Sequence, residues 1–356
     1  MCLLCEINAK KKVGKGKIVS TACAQRLIEA EQQGQTLKDY MKGKERWGSL
    51  HGHSEFSLLD GGAKVEDILD KAKAMGQDFV AITDHGNMFS AVRAHKHAKK
   101  IGIKHIVGCE LYLTPVGKSR YDRDFKKGEK AYHHLVVLAK NRIGYQNLCR
   151  LSSLGYQEGF YRAPRVDREL LEKYKEGLIV TTSCVGGSVP ANAYEGDFYK
   201  AESDLDWMGR IFGENLLVEI QKHGIEIEES SFEYVRNQAA KHNIKQIITT
   251  DSHYLNKEDH QAHDALICIG TGQFVDDTDR RFSFDGSGYH YHTQEEVMEK
   301  FPNDTEAIFN TGRIADMIDD EVIDTSADIK MPPYAIPKDD SFDTWSKSGG
   351  LNKWII

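Results

Sequence analysis

Apolar residues recur along residues 47–255 in short runs separated by stretches with a helical repeat. The short runs have the length of strands, and the stretches between them carry apolar residues every three or four positions. Predicted helices are residues 64–76, which end at Gly76, and residues 89–102, 144–155, 198–213 and 230–243. Predicted strands are residues 47–53, 78–86, 104–114, 133–141, 176–184, 215–224 and 245–255.

This alternation predicts the fold class. Apolar strands separated by helices favour parallel pairing and an α/β architecture, because helices then cover the faces of the sheet. Repeated units without a Gly-rich dinucleotide fingerprint favour a barrel over an open sheet. In such a barrel the C-terminal ends of the strands gather on one face.

Residues of metal-binding types end or interrupt these apolar runs. His51 and His53 are two apart, as are Asp251 and His253, so each pair lies on one face of a strand. His134 is an exception, since it begins its predicted strand. The positions are His51, His53, Asp60, His85, Glu110, His134, Cys184, Asp251 and His253.

The chemistry of these side chains indicates a metal centre. Imidazole and thiolate suit zinc, and imidazole with carboxylate suits manganese or iron. The set exceeds the ligands of one tetrahedral ion, so we expect two or three ions with Glu110 as a bridge. Taken singly, each residue has a plainer interpretation: Asp84 and His85 as helix caps, or Cys184 as a small buried residue. Their recurrence on strand after strand favours the metal centre.

Other histidines and cysteines carry weaker signals. His95 and His97 lie in a Lys-rich helix and are interpreted as part of a solvated face, and "GYHYHT" holds a weak further pair, His290 and His292. Cys2 and Cys5 form a lone CxxC, interpreted as ordinary cysteines rather than half of a zinc site. They lie in residues 1–46, a predicted basic N-terminal extension with one helix at 21–34.

Composition narrows the class of protein. With 40% hydrophobic and 28% charged residues the chain is globular, and it lacks the run of about 18 apolar residues that a membrane helix needs. An odd number of scattered cysteines, seven, argues against a disulfide framework and for the cytoplasm. A net charge of −7 argues against coating duplex DNA electrostatically, but bound cations would offset the carboxylates of a metal centre.

Several motifs together resemble a known family. "LHGHSEFSLLDG", "AITDHGNMFSA", "GCELYLTP" and "ITTDSHYLNKEDHQAHDALICIGTG" occur in the order of the PHP (polymerase and histidinol phosphatase) domain of the bacterial DNA polymerase III alpha subunit. The resemblance covers roughly residues 47–335. It implies a distorted seven-stranded (β/α) barrel with its metal site at the C-terminal strand ends. We expect a PHP domain at 47–285 and, at 286–356, a helical connection toward a polymerase palm.

The resemblance also implies ligand sets for up to three ions. His51, His53, Glu110 and Asp251 would hold the first ion. Glu110, His134 and Cys184 would hold the second, and Asp60, His85 and His253 the third. Zn²⁺, Mn²⁺ and Fe²⁺ are the candidate ions. The sequence keeps all nine positions, which favours an active centre over a vestige.

The resemblance favours a metal-dependent phosphoesterase acting on DNA, most of all a 3′-to-5′ proofreading exonuclease. Its catalytic residues would be His51, His53, Glu110 and Asp251, with Asp84 orienting His85. Arg162 and Arg165 are candidates to bind phosphate, and surface arginines are an equal alternative. The basic arm before residue 47 is a candidate to engage the DNA backbone. No palm-type carboxylate motif occurs, so we do not expect polymerisation by this chain alone.

Two other functions stay open. The chain would be a metal-stabilised scaffold of a replicative polymerase if it docks a separate polymerase core or other replisome subunits. Alternatively, it would be a small-molecule phosphatase or a pyrophosphatase. The complete ligand set counts against the scaffold, and the motifs outside the ligands count against the phosphatase.

Overall fold

The computed structural model describes residues 45–280, 283–284 and 287–325. The predictions on Cys2, Cys5 and the helix at 21–34 therefore lie outside the described residues. The helices and strands are α1 Val65–Ala74, β1 Phe79–Ile82, α2 Ala91–Ile101, β2 Lys104–Leu113, β3 His133–Ala139, α3 Arg142–Gln157, β4 Phe160–Tyr161, β5 Ala163–Val166, α4 Arg168–Lys173, β6 Leu178–Thr181, α5 Ser188–Tyr194, α6 Phe198–Phe212, β7 Leu216–Ile220, α7 Glu226–His242, β8 Lys245–Ile248, α8 His260–Thr271, α9 Gln294–Lys300 and α10 Thr305–Asp316.

The strands form one sheet in the order β4-β5-β2-β3-β6-β7-β8, with β1 also paired to β2. β1 pairs with the first half of β2 and β5 with its last residues, both in parallel. The pairs β6–β7 and β7–β8 are also parallel. β3 runs antiparallel to both β2 and β6, so the expectation of parallel strands fails there. The reason is local, because residues 114–132 join β2 to β3 through turns without a crossover helix.

Residues 48–53 join the two ends of the sheet. On one side Ala81 N donates to Ser49 O at 2.7 Å and Thr83 N to Gly52 O at 2.8 Å. On the other side His53 N donates to Ser252 O at 2.7 Å, just beyond β8. Counted with this stretch, seven strands surround the interior, which confirms the predicted barrel. β4 and β5 form an additional short hairpin beside β2.

An apolar layer fills the interior of the barrel, and each of the seven ring strands contributes to it. The layer is buried and shuts the centre of the barrel to water, as in other barrels whose interior is a packed core. The strand residues of this buried cluster include Leu50, Ala81, Ile106, Val136, Ile179, Leu217 and Ile247, and Phe79, Leu138, Ile314, Ala315 and Ile318 belong to the same cluster.

Counting by twos from this layer leads to the polar end of the barrel, since alternate residues of a strand face the same side. Ile106 leads to Glu110, Leu217 to Glu219, and Ile247 to Thr249 and Asp251. Val136 leads back to His134, because β3 runs in the opposite direction. His134 therefore lies at the same edge as the C-terminal ends of the parallel strands, although it begins its own.

The helices after residue 287 pack against the sheet. Val297 of α9 and Phe309 of α10 belong to the main hydrophobic core. Asn310 Nδ2 donates to Gln246 O of β8 at 2.8 Å. The described residues up to Ile323 form one compact unit. Division at residue 285 and a connection toward a palm stay predictions. None of the described helices is long and apolar enough to cross a membrane.

His105 lies on the opposite face of β2 from Ile106, near His95 of α2. Both imidazoles are buried, and neither has a hydrogen-bond partner among the described residues. The interpretation of His95 as solvated is therefore wrong. Burial, with a smaller contribution from His95, lowers the pKa of His105 from 6.5 to about 3.

This lowered pKa predicts a loss of stability in acid. Between about pH 6.5 and pH 3 the unfolded chain binds a proton at His105 that the folded chain does not, so the free energy of unfolding falls as pH falls. From about pH 7 to pH 5 this group should cost roughly 2 kcal/mol. In urea unfolding at both pH values, His105→Phe should lose about 2 kcal/mol less than the parent chain. Equal losses in His105→Phe and the parent chain would refute His105 as the source of this acid sensitivity. The matched control is His97→Phe, because His97 is a half-buried histidine.

Candidate metal centre

The structure brings all nine predicted side chains together at the polar end of the barrel. Seven of the nine residues form three overlapping groups. Within each group the ligand atoms all lie within 4.8 Å of one another. Asp60 and Cys184 lie beside them, as described below. The groups are His51, His53, Glu110 and Asp251; His53, His85 and His253; and His85, Glu110 and His134.

The deepest group consists of His51, His53, Glu110 and Asp251, all buried. The Nε2 atoms of both histidines lie 3.1 Å from Glu110 Oε2 and 3.2 Å from Asp251 Oδ1. Two imidazoles and two carboxylates therefore face one point, a donor set that suits zinc, manganese or iron. These are the residues implied for the first ion, and their role as ligands stays a prediction.

The other oxygen of Glu110 faces a second group. Glu110 Oε1 lies 2.6 Å from His134 Nδ1 and 3.8 Å from Cys184 Sγ. His85 Nδ1 also approaches Glu110, at 3.2 Å from Oε2. Burial raises the pKa of the Cys184 thiol well above its usual value, and the charges of Glu110 and Asp251 add to this effect. Cys184 would therefore act as a thiolate ligand only beside a cation.

A third group lies around Asp60. Asp60 Oδ2 is 3.3 Å from His85 Nε2 and 3.9 Å from His253 Nε2. The ring of His53 stacks between the rings of His85 and His253, with centroids at 4.2 and 4.3 Å. His53 thus faces two groups, whereas the resemblance implies it for the first ion alone.

Several buried polar atoms of the cluster have no hydrogen-bond partner among the described residues. Leaving such an atom unsatisfied costs about 1–3 kcal/mol. His53 Nε2, Asp251 Oδ1 and His85 Nδ1 lie 3.1–3.2 Å from neighbouring ligand atoms without hydrogen-bond geometry. A shared cation would satisfy them together, so the site fits divalent ions. The atoms without a partner are His53 Nε2, Asp60 Oδ1, His85 Nδ1 and Asp251 Oδ1.

Electrostatics of the cluster agree with this fit. Burial raises the pKa of Glu110, but the neighbouring imidazoles of His134, His51 and His85 outweigh burial and hold the pKa well below its usual range. Burial lowers the pKa of His51, but Asp251, Glu219 and Glu110 outweigh it and raise the pKa well above its usual value. The carboxylates thus stay charged by holding protons on imidazoles, and a cation would replace those protons.

Glu219 of β7 contacts His51 on the side of the ring away from the cluster. This residue was not identified from the sequence. Glu219 Oε1 lies 2.6 Å from His51 Nδ1, and its oxygens accept from Gln221, Thr249 and Thr181. A proton shared between Nδ1 and Glu219 leaves the Nε2 lone pair of His51 for the cluster. A carboxylate inside the apolar run "LLVEI" was the available signal, the same one that identified Glu110.

Asp84 supports His53 rather than His85, contrary to the predicted target. Its carboxylate accepts from Ser54 N at 2.7 Å and from Ser57 Oγ at 3.0 Å. Ser57 Oγ lies 2.9 Å from His53 Nδ1. The physical reason is alternation, because Asp84 points to the opposite side of its segment from the inward-facing His85. Among the described residues, Asp84 makes no contact with the space between the ligands. The structure therefore does not support a catalytic role for it.

Arg165 does not bind phosphate, so that prediction is wrong. Its guanidinium is fully buried and donates to the carbonyls of Gly159 and Arg120 at 3.0 Å and of Asp122 at 2.6 Å. These donors are occupied by the chain itself. Arg162 is exposed, with its guanidinium 5.3 Å from the Tyr161 ring centroid, and stays a candidate for phosphate.

Two residues of the site have left-handed backbones although they are not glycines. Ser183 has φ of 62° and Asp251 φ of 43°. Such residues cost roughly 1–3 kcal/mol and persist where the surrounding structure holds them. The turn at Ser183 interrupts the alternation just after β6, so that both Ser183 Oγ and Cys184 Sγ face Glu110 Oε1.

The late pair His290 and His292 is outside the cluster. Their rings stack at 3.9 Å, and His292 Nδ1 lies 2.7 Å from His290 O. Burial lowers the pKa of His292 to about 3. Neither residue belongs to a candidate metal group in the described part of the chain.

The contact between Glu219 and His51 predicts weaker metal binding by Glu219→Gln. The amide keeps the shape of the side chain but removes the charge that orients and polarises His51. We expect roughly 10- to 100-fold weaker affinity for Mn²⁺ or Zn²⁺, measured by competition with a chelating dye. Asp204→Asn is the control, because Asp204 is a buried carboxylate paired with Arg168 outside the cluster. Equal affinity in the two variants would contradict the role of Glu219.

Comparison with known proteins identifies a domain family within this chain. Residues 49–223 match the family model of the PHP domain. DNA polymerase III subunit alpha of Borreliella burgdorferi is 41% identical over 297 residues, which cover 83% of this chain and 26% of that protein. The same subunit of Treponema pallidum is 41% identical over 267 residues, 75% of this chain and 23% of that protein. The chain thus spans about a quarter of the length of these curated relatives.

A solved structure described as that of a metal-dependent phosphoesterase from Bifidobacterium adolescentis resembles the chain only loosely. The identity is 11% and the TM-score 0.39, over 72% of this chain and 95% of that one. This likeness supports no statement about activity. Residues 49–223 are a PHP domain, the domain whose family model they match.

Proposed function

We propose that the chain is a metal-dependent phosphoesterase that hydrolyses phosphodiester bonds of DNA, with 3′-to-5′ exonuclease cleavage as the favoured reaction. The observation that carries the proposal is the convergence of unpartnered ligand atoms from His53, His85 and Asp251 around Glu110. A barrel that needed only stability would not keep such atoms buried without partners.

The residues that would hold the ions are the three sets implied by the resemblance to the PHP domain. His51, His53 and Asp251 would bind on one side of Glu110, and His134 and Cys184 on the other. Asp60, His85 and His253 would complete the third position. Bound divalent cations lower the pKa of water and offset the charge of phosphate oxygens. Zn²⁺, Mn²⁺ and Fe²⁺ suit this mixture of imidazole, carboxylate and thiol.

The exposure of the ligands indicates where a substrate would enter. The side chains of His51 and His53 are 0% exposed, whereas those of His134 and His85 are 26% and 14% exposed. A phosphodiester would therefore approach from the side of His134 and His85. Behind them Glu219 and Ser57 hold the rings of His51 and His53, so the deep ligands keep their orientation as substrate enters.

A scaffold role in a replicative polymerase is the second candidate. It is favoured by the similarity to the alpha subunits, of which the chain spans about a quarter. In that role the metal would stabilise the barrel, and the partners would be a polymerase core or other replisome subunits. A small-molecule phosphatase or pyrophosphatase has no comparable support from the described residues.

A nuclease assay tests the proposal. The substrates are 5′-labelled single-stranded DNA and a primer–template, incubated with Mn²⁺ or Zn²⁺. We expect stepwise shortening from the 3′ end, reduced about 100-fold or more in Asp251→Asn because a ligand carboxylate is lost. Asp204→Asn should keep the activity, since Asp204 lies outside the cluster.

The opposite outcome is also informative. A protein that carries its metal but shortens neither DNA substrate would refute the nuclease proposal. Hydrolysis of p-nitrophenyl phosphate or pyrophosphate by the same protein would then indicate a small substrate. Absence of all three activities, with a melting temperature that falls when metal is removed, would indicate the scaffold.

A further inference from the structure

We propose that the connection between β2 and β3, residues 114–132, is the surface along which a single-stranded nucleic acid reaches the metal centre. We call this segment the β2–β3 connection. The inference rests on the proposed function, because it names the form and the route of the substrate. Three independent features carry it: position, charge and aromatic side chains.

The β2–β3 connection begins and ends at the open side of the metal centre. Tyr112, near the end of β2, has its ring centroid 6.1 Å from that of His85. Tyr132, the last aromatic residue of the connection, lies 4.7 Å from Tyr112 and 6.3 Å from His134 by the same measure. His85 and His134 are the partly exposed ligands, so the two tyrosines lead from the connection to the entrance of the site.

The charge of the connection is locally unbalanced. Lys126 and Lys127 are exposed and form no ion pair among the described residues, whereas the exposed Arg123 donates to the carbonyls of Arg120 and Glu158. Three other cations are neutralised within the chain: Lys118 by Glu129, Arg120 by Asp167, and Lys130 by Glu195. The connection carries six cations and three carboxylates, Asp122, Asp124 and Glu129. In a chain with a net charge of −7, this local excess, with the adjacent exposed Lys126 and Lys127, favours a polyanionic partner.

Aromatic rings accompany these cations. Phe125 stacks on Tyr161 with centroids at 5.4 Å and planes 19° apart, and Arg162 lies over the same tyrosine. Tyr121 is 57% exposed and Phe160 53% exposed. Surfaces that bind single strands combine cations for the backbone with aromatic rings on which free bases stack. A duplex keeps its bases paired, so this combination favours a single strand.

Arg165 fixes the connection in place. Its buried guanidinium donates to the carbonyls of Arg120 and Asp122, within the connection, and to that of Gly159. The connection is therefore held over β5 before any ligand binds, which reduces the entropy lost on binding.

The test uses the double variant Lys126→Gln and Lys127→Gln in the full chain. The matched control is Lys96→Gln with Lys100→Gln, which removes the same charge from exposed lysines of α2 that form no ion pair within the described part of the chain. Binding of a fluorescein-labelled oligothymidylate of about 20 nucleotides is measured by anisotropy over a series of salt concentrations. Phosphorothioate linkages keep the charge of the strand while resisting hydrolysis.

We expect the double variant to bind about 25-fold more weakly at about 0.1 M salt, with a salt dependence shallower by about 1.4 in log–log slope. The control should bind as the parent chain does. An effect equal in both variants, or absent from both, would overturn the inference. Equal binding and equal loss with duplex DNA of the same length would overturn the preference for a single strand.

A small diester separates this inference from the proposed function. Bis(p-nitrophenyl) phosphate needs only the metal centre, so the double variant should hydrolyse it as the parent chain does. If the double variant hydrolyses the diester and still binds DNA as the parent chain does, the inference is refuted and the proposed function stands. Binding that falls as expected, in a chain that hydrolyses neither DNA nor the diester, would refute the proposed function and leave the binding surface standing.

Discussion

The carboxylate of Glu110 lies between the two sides of the cluster, and the other ligands are arranged around it. One oxygen faces His51, His53 and His85, and the other faces His134 and Cys184. A buried carboxylate is tolerated only when opposite charge surrounds it, and here the imidazoles of His134, His51 and His85 supply that environment. The register of β2 against β1 and β3 places Glu110 at this point, so sheet pairing and site chemistry depend on each other.

The barrel interior has an apolar end that stabilises the fold and a polar end that carries the candidate ligands. At one end an apolar layer excludes water and contributes the burial that stabilises the sheet. At the other end the same inward-facing positions carry His, Glu and Asp, whose desolvation is unfavourable unless cations or protons balance them. Metal binding and folding are therefore linked, because the cluster forms only when the seven ring strands are in register.

The strands, the seven-stranded ring and the nine clustered residues could be predicted from the sequence, since alternation by twos and apolar runs are local signals. Three features could not. The direction of β3 depends on pairing with β2 and β6, which no local pattern encodes. The role of Arg165 depends on carbonyls more than 40 residues away in sequence, at Arg120 and Asp122. The grouping of His53 with His85 and His253 depends on how three strands approach, which spacing within one strand does not give. Glu219 differs, because its signal was present and was missed.

The antiparallel β3 has a consequence for how such a barrel can vary. Between parallel neighbours the chain must cross from one end of the barrel to the other. The antiparallel strands β2 and β3 are instead joined at one end of the barrel by residues 114–132. That connection can lengthen or shorten without changing the order or register of the ring, and the entropy of closing a loop grows only slowly with its length. The length and charge of this connection can therefore change independently of the barrel, while the ligand cluster keeps its geometry.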